Sequence, residues 1–149
     1  SHGNDSIMDV STLYFRTYAH ATEDAEKALA AMKFASGQED IETRDTSGFH
    51  GNPIKVLEVR VKRGKDIDGF FRRMDKEDVE KMLVTAEKRM DEDSFFFLRL
   101  DKQEAYLGHL KIADHDDVIA VRAKVTSYPK SKEGALRIMK AYLNELMER

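Results

Sequence analysis

Leu13-Tyr14-Phe15-Arg16-Thr17-Tyr18-Ala19-His20-Ala21-Thr22-Glu23-Asp24 joins two kinds of periodicity, and its reading decides the fold class. Over 13–20 the side chains alternate. Leu13, Phe15, Thr17 and Ala19 fall on one side, and Tyr14, Arg16, Tyr18 and His20 on the other. Successive strand residues point to opposite faces, so this is a strand with one core row and one polar, aromatic row. Immediately beyond it, Ala25, Ala28, Leu29 and Met32 recur at helical spacing and stop near Gly37. Thr22 reads as the N-cap of that helix, with Glu23 and Asp24 at the positive end of its dipole.

Working outward, a weak strand is expected over 39–45, then a turn-rich loop over 47–53. A strong strand follows over 54–63, with Leu57, Val59 and Val61 on one face and Glu58, Arg60 and Lys62 on the other. The helical pattern over 66–90 carries Ile67, Phe70, Phe71 and Met74, then Val79, Met82, Leu83 and Ala86, with a break near Asp75. Asp91-Glu92-Asp93 reads as a tight turn. Strand 94–100 places Phe95 and Phe97 on the same side as Arg99. A turn or short helix is expected over 102–107, and strands over 108–112 and 118–127, the last with Arg122 and Lys124 outward. A final helix begins after Pro129, with Leu136, Met139, Leu143 and Leu146 inward. Strands and helices mix without strict βαβ alternation. The expected class is α+β, an antiparallel or mixed curved sheet with helices mainly on one face.

A chain of 149 residues fits one domain, here 8–149. Residues 1–7 read as a tag or disordered N-terminus ahead of Met8. Hydrophobic residues at 41% and charged residues at 36% describe a globular chain with a heavily charged surface. No apolar run approaches the ~18 residues of a membrane span. Cysteine is absent, which removes disulfides, thiolate metal sites and cysteine nucleophiles, and suits a cytoplasmic setting. The net charge is −3, so binding to a polyanion requires the positive side chains to be segregated. Between 55 and 65 they are: Lys55, Arg60, Lys62, Arg63 and Lys65 face the single acid Glu58.

The outward positions gather Tyr14, Arg16, Tyr18, Arg60, Lys62, Arg99, Arg122 and Lys124. Aromatic rings stack on bases and cations neutralise phosphate, so this row suits RNA. An ordinary solvated sheet face or a dimer interface fits the same pattern. His50 and Asn52, within Gly48-Phe49-His50-Gly51-Asn52-Pro53, could hydrogen-bond a ligand, or simply form a turn. His20 ends a strand before a helix start, where an anion can sit. A catalytic role would need Glu23 or Asp24 to orient its imidazole. His109 with Asp114, His115, Asp116 and Asp117 lacks a metal-ligand spacing and reads as a solvated turn. Arg99-Leu100-Asp101-Lys102-Gln103 fits ion pairing and ligand contact equally. There is no GxGxxG or phosphate loop, so no cofactor is expected.

Four motifs then stand out together: His20-Ala21-Thr22-Glu23-Asp24, Gly48-Phe49-His50-Gly51-Asn52-Pro53, Arg89-Met90-Asp91-Glu92-Asp93 and Arg99-Leu100-Asp101-Lys102-Gln103-Glu104-Ala105-Tyr106. In order and spacing they resemble an archaeal family of RNA-binding proteins, or predicted exosome subunits, from about residue 12 to residue 146. The resemblance implies a fold like that of the ribosomal protein that holds 5S rRNA. With it the leading expectation is an RNA-binding protein, an accessory of RNA processing. The lack of a convincing nucleophile, metal set or cofactor loop makes it non-catalytic, and the outward sheet face and helix stripes suggest a homo-oligomer. On that expectation Arg16, Arg60, Lys62, Arg122 and Lys124 contact phosphate and Tyr14 and Tyr18 stack on bases. Arg99 lies on the same face, and His20, His50, Asn52, Lys102 and Gln103 supply hydrogen bonds. The rival expectation is a protein-interaction module without direct RNA binding.

Overall fold

The computed structural model describes residues 9–48 and 51–148. Strands β1 (Val10–His20), β2 (Glu42–Ser47), β3 (Pro53–Val61), β4 (Phe95–Asp101) and β5 (Val118–Val125) form one open antiparallel sheet in the order β2-β3-β1-β5-β4. Six helices accompany them: α1 (Ala25–Ser36), α2 (Gly64–Arg72), α3 (Lys76–Val84), α4 (Ala86–Arg89), α5 (Lys102–Tyr106) and α6 (Lys132–Met147). The fold is therefore α+β, as the periodicities imply. No helix among the described residues is long and apolar enough to cross a membrane.

The chain divides into two compact units, and four of the five strands contribute residues to both. The first unit comprises Ser1–Leu13, Val61–Leu98 and Arg122–Arg149. Here α3 and α4 pack on α6. Phe70, Phe71, Met82, Phe96, Met139 and Leu143 are buried in it. Each such side chain, fully buried, is worth roughly 1.5–3 kcal/mol. Phe71 meets Tyr142 edge-on at 5.5 Å, and the Tyr142 hydroxyl donates to Asp68. The break at Asp75 occurs as read: its carboxylate accepts the Asp78 N–H at 3.0 Å and starts α3. A second break falls at Thr85, whose hydroxyl turns back to the Lys81 carbonyl. The Asp91–Asp93 turn also forms, with Asp91 accepting the N–H groups of Asp93 and Phe95.

The second unit comprises Tyr14–Arg60 and Arg99–Val121. Its core takes Phe15, Ala19, Met32, Leu57, Leu100 and Ile119, and α1 packs on α5. Two expectations are corrected here. Helix α1 starts at Ala25, capped by Asp24, which accepts the Glu26 N–H at 3.0 Å; Thr22 is not its cap. The cause is a tight turn. The Glu23 N–H donates to the His20 carbonyl, and the His20 N–H to the Glu23 carboxylate, both at 2.9 Å, so Thr22 lies inside that turn. The strand expected over 108–112 reduces to a single bridge between Leu100 and Ile112 beside β4. Gly108, at φ 93°, reverses the chain there in a conformation that suits glycine.

Candidate nucleic-acid interface

β1 delivers its two rows as the alternation requires. Leu13, Phe15, Thr17 and Ala19 are buried, Arg16, Tyr18 and His20 are exposed, and Tyr14 is half-buried. Tyr18 leaves 45% of its surface accessible, a large amount for an aromatic residue within a sheet. β3 adds Arg60 and Glu58 to this unit. β2 lies antiparallel to β3, pairs Arg44 with Val56, and is exposed along its whole length.

Glu58 organises the cations of this surface. One of its oxygens accepts from the Arg16 Nε and Nη2 at 2.7 and 2.6 Å, and the other faces the Arg44 Nε at 3.5 Å. Burial would raise the Glu58 carboxyl, but the Arg16 hydrogen bond and the charges of Arg16 and Arg44 outweigh it and hold it below the ordinary glutamate value. Arg16 is correspondingly raised, chiefly by its hydrogen bond to Glu58. Arg60 has no ion-pair partner among the described residues. The carboxylate therefore neutralises only part of the positive charge of Arg16, Arg44 and Arg60. Arg44 was missed from the sequence. Its signal was the hairpin: pairing 42–47 with 53–58 across the Gly48–Asn52 turn brings Arg44 beside Glu58.

Arg99-Leu100-Asp101-Lys102-Gln103 builds something different. Lys102 is 5% exposed, and its ammonium donates to the Tyr18 carbonyl at 2.8 Å and Glu23 at 3.0 Å, while Asp117 lies 2.9 Å away. It ties together the end of β1, the approach to α1 and the approach to β5. Asp101 caps α5 by accepting the Glu104 N–H at 2.9 Å, and its second oxygen pairs with the His115 Nε2 at 3.0 Å. The Asp117 N–H donates to His115 Nδ1 at 3.2 Å. Burial works to raise the Asp101 carboxyl, yet the Glu104 N–H and His115 lower it overall. Glu23 behaves alike: burial is outweighed by the His20 N–H and Lys102, and it is lowered. Arg99 donates to the His115 carbonyl at 2.7 Å and to Asp116 at 3.1 Å. Residues 114–117 are exposed bends, the solvated turn that the sequence suggests, and His115, Asp116 and Asp117 tie that turn to Asp101, Arg99 and Lys102.

The remaining candidates sit as follows. The His20 imidazole is exposed and has no hydrogen-bond partner among the described residues. Asn52 is exposed at the foot of β3, with its carbonyl accepting the Gly48 N–H at 2.7 Å. His50 lies outside the described residues. Gln103 is exposed and lines a cleft of about 210 Å³ with Glu23, Asp24, Lys27, Lys102 and Tyr106. The Lys27 ammonium stands 5.2 Å from the centre of the Tyr106 ring. In the first unit, Arg122 covers the Phe95 ring at 4.8 Å, a cation–π contact, and Phe97 is 41% exposed. Lys62 and Lys124 are exposed there without ion pairs among the described residues.

The second unit therefore presents tyrosines beside partly unneutralised arginines, an arrangement that can stack planar groups and hold anions. Comparison with known proteins gives the same direction. A protein of Pyrococcus abyssi named as an RNA-binding protein is 35% identical over 146 residues, covering 91% of this chain and 95% of its own length. An uncharacterized protein of Methanocaldococcus jannaschii is 32% identical over 150 residues, covering 92% and 98%. The solved structure of a DUF54 protein from Methanothermobacter thermautotrophicus superposes with a TM-score of 0.79 at 31% identity, covering 90% of this chain and 98% of that one. A family model described as RNA binding matches residues 12–125, and with these relatives it establishes that the chain belongs to that archaeal RNA-binding family.

Proposed function

We propose that this protein binds single-stranded RNA, without a catalytic step, through the outward row of β1 and its neighbours on β2 and β3. The observation that carries the reading is the partial neutralisation around Glu58: Arg16 and Arg44 share one carboxylate, and Arg60 has none among the described residues. Tyr14 and Tyr18 supply aromatic faces in the same row. Base stacking on such faces is tolerant of sequence, so the cations set affinity and the tyrosines favour unpaired bases. In the first unit, taken by itself, Lys62, Arg122 and Lys124 are candidate phosphate contacts.

Membership of the family and the name of the Pyrococcus relative support RNA as the ligand. The non-catalytic reading has its own support. Glu23 and Asp24 could have oriented His20 as a base, but Glu23 is held by the His20 N–H and Lys102, and Asp24 caps α1. In the cell the reading is of an accessory factor for RNA processing, with the exosome as the assembly to probe first.

Fluorescence anisotropy with a labelled oligouridine probe tests this. Three phosphate contacts give log K against log salt a slope of about −2 for a single strand. Replacing Arg60→Glu and Lys62→Glu together abolishes binding and leaves the circular dichroism unchanged, since both side chains are exposed and unpaired. Salt-independent binding, or none at low salt, rejects RNA as the ligand. An outward row of β1 buried against a second copy would instead favour the interaction-module reading.

A further inference from the structure

The Arg16–Glu58–Arg44 cluster is more specific than a basic patch. A surface carboxylate with one arginine makes a neutral pair of little consequence. Here two guanidiniums converge on one carboxylate and repel each other; with Arg60 two positions on and Glu42 paired opposite Glu58, three arginines share a face with two carboxylates. Glu58 lies deeper, with its side chain 24% exposed, and the two arginine side chains stand outside it at 49% and 56%. Both of Arg16's bonds to Glu58 end on one oxygen, and Arg44 reaches the other oxygen only through Nε. Each arginine side chain is about half exposed, and a guanidinium can take two phosphate oxygens at once.

We propose that Arg16 and Arg44 form a two-pronged phosphodiester site, and that Glu58 is its positioning residue. Glu58 fixes the arginines from beneath and leaves the excess positive charge for the ligand to balance. The proposal rests on RNA being the ligand and assigns one backbone phosphate to this fork. It makes a counterintuitive prediction about charge. Glu58→Gln adds a positive charge to the surface, so a purely electrostatic patch binds RNA more tightly after the change. A positioned fork binds it less tightly, because the arginines lose the group that aligns them.

The experiment measures oligouridine affinity and its salt slope for the wild type, Arg44→Ala and Glu58→Gln. Arg44→Ala lowers affinity about tenfold, as expected for one lost charge-assisted contact, and makes the slope shallower by about 0.7. Glu58→Gln lowers affinity about threefold, by loosening rather than removing such contacts, with the slope unchanged. Equal or tighter binding by Glu58→Gln overturns the positioning role, and unchanged binding by Arg44→Ala overturns the fork. Should Glu58→Gln fail to fold, Glu58→Asp, which keeps the charge and shortens its reach, tests the positioning role: unchanged affinity overturns it. A wild type that binds no RNA rejects this proposal and the proposed function together. Displacement of the RNA by polyglutamate at equal charge concentration would assign the fork to an acidic protein partner.

Discussion

The Glu58 cluster and the Lys102 knot use the same kinds of side chain within one unit and put them to opposite uses. Around Glu58, two cations share one anion and stay in solvent. Around Lys102, one buried cation meets two carboxylates and a carbonyl and keeps no donor free. Charge balance and burial, rather than residue type, separate the proposed binding surface from the scaffold. Breaking the buried cluster should destabilise the protein, and breaking the exposed one should spare the fold.

The largest expected effect comes from Lys102→Met. It strands the Tyr18 carbonyl and leaves Glu23 beside Asp117 without their shared cation. Loss of one partner from a buried pair costs about 3 kcal/mol, taking the low end because both carboxylates are partly solvated. Urea denaturation reads this, and any loss of RNA affinity in the folded fraction should be the smaller effect. Lost affinity at undiminished stability would move Lys102 to the binding surface and erase the contrast.

A smaller effect comes from acid. Glu23, Asp101 and Glu58 all have folded carboxyls held below their ordinary values. A group depressed on folding contributes stability above its unfolded pKa, near 4. That contribution disappears as pH falls through the lower folded pKa. The urea midpoint should therefore drop progressively below about pH 4. Asp101→Asn keeps a cap oxygen for the Glu104 N–H and removes one titrating group, so its midpoint should fall less steeply with acid. A parallel profile would show that Asp101 does not contribute to it. The smallest effect is expected at the exposed Lys55–Asp45 pair, 2.8 Å apart. Lys55→Ala should change stability by less than about 0.5 kcal/mol.

The sequence made the rows legible and left the charge balance hidden. Alternation needs only neighbouring residues, so the buried and exposed faces of β1, the shared side of Phe95, Phe97 and Arg99, and the Asp75 cap could all be read locally. Pairing is a long-range fact. Arg16 meets Glu58 across 42 positions, and Lys102 meets Tyr18 across 84, so no local pattern told an engaged cation from a free one. Lys102 and Arg99 were thus grouped with Arg60 as ligand contacts, although the Lys102 ammonium and the Arg99 Nη2 are engaged within the protein. Residues 42–47 show no alternation, since the whole strand is exposed, and Arg44 escaped notice for that reason.

Tyr18 belongs to both regions at once. Its carbonyl is anchored by the buried ammonium, and its ring stands in solvent beside Arg16. A base that stacks there meets a platform whose backbone is already immobilised. Docking then freezes a few rotamers instead of ordering a loop, so the entropic penalty of capture is small and release should be governed by salt rather than by a slow conformational opening.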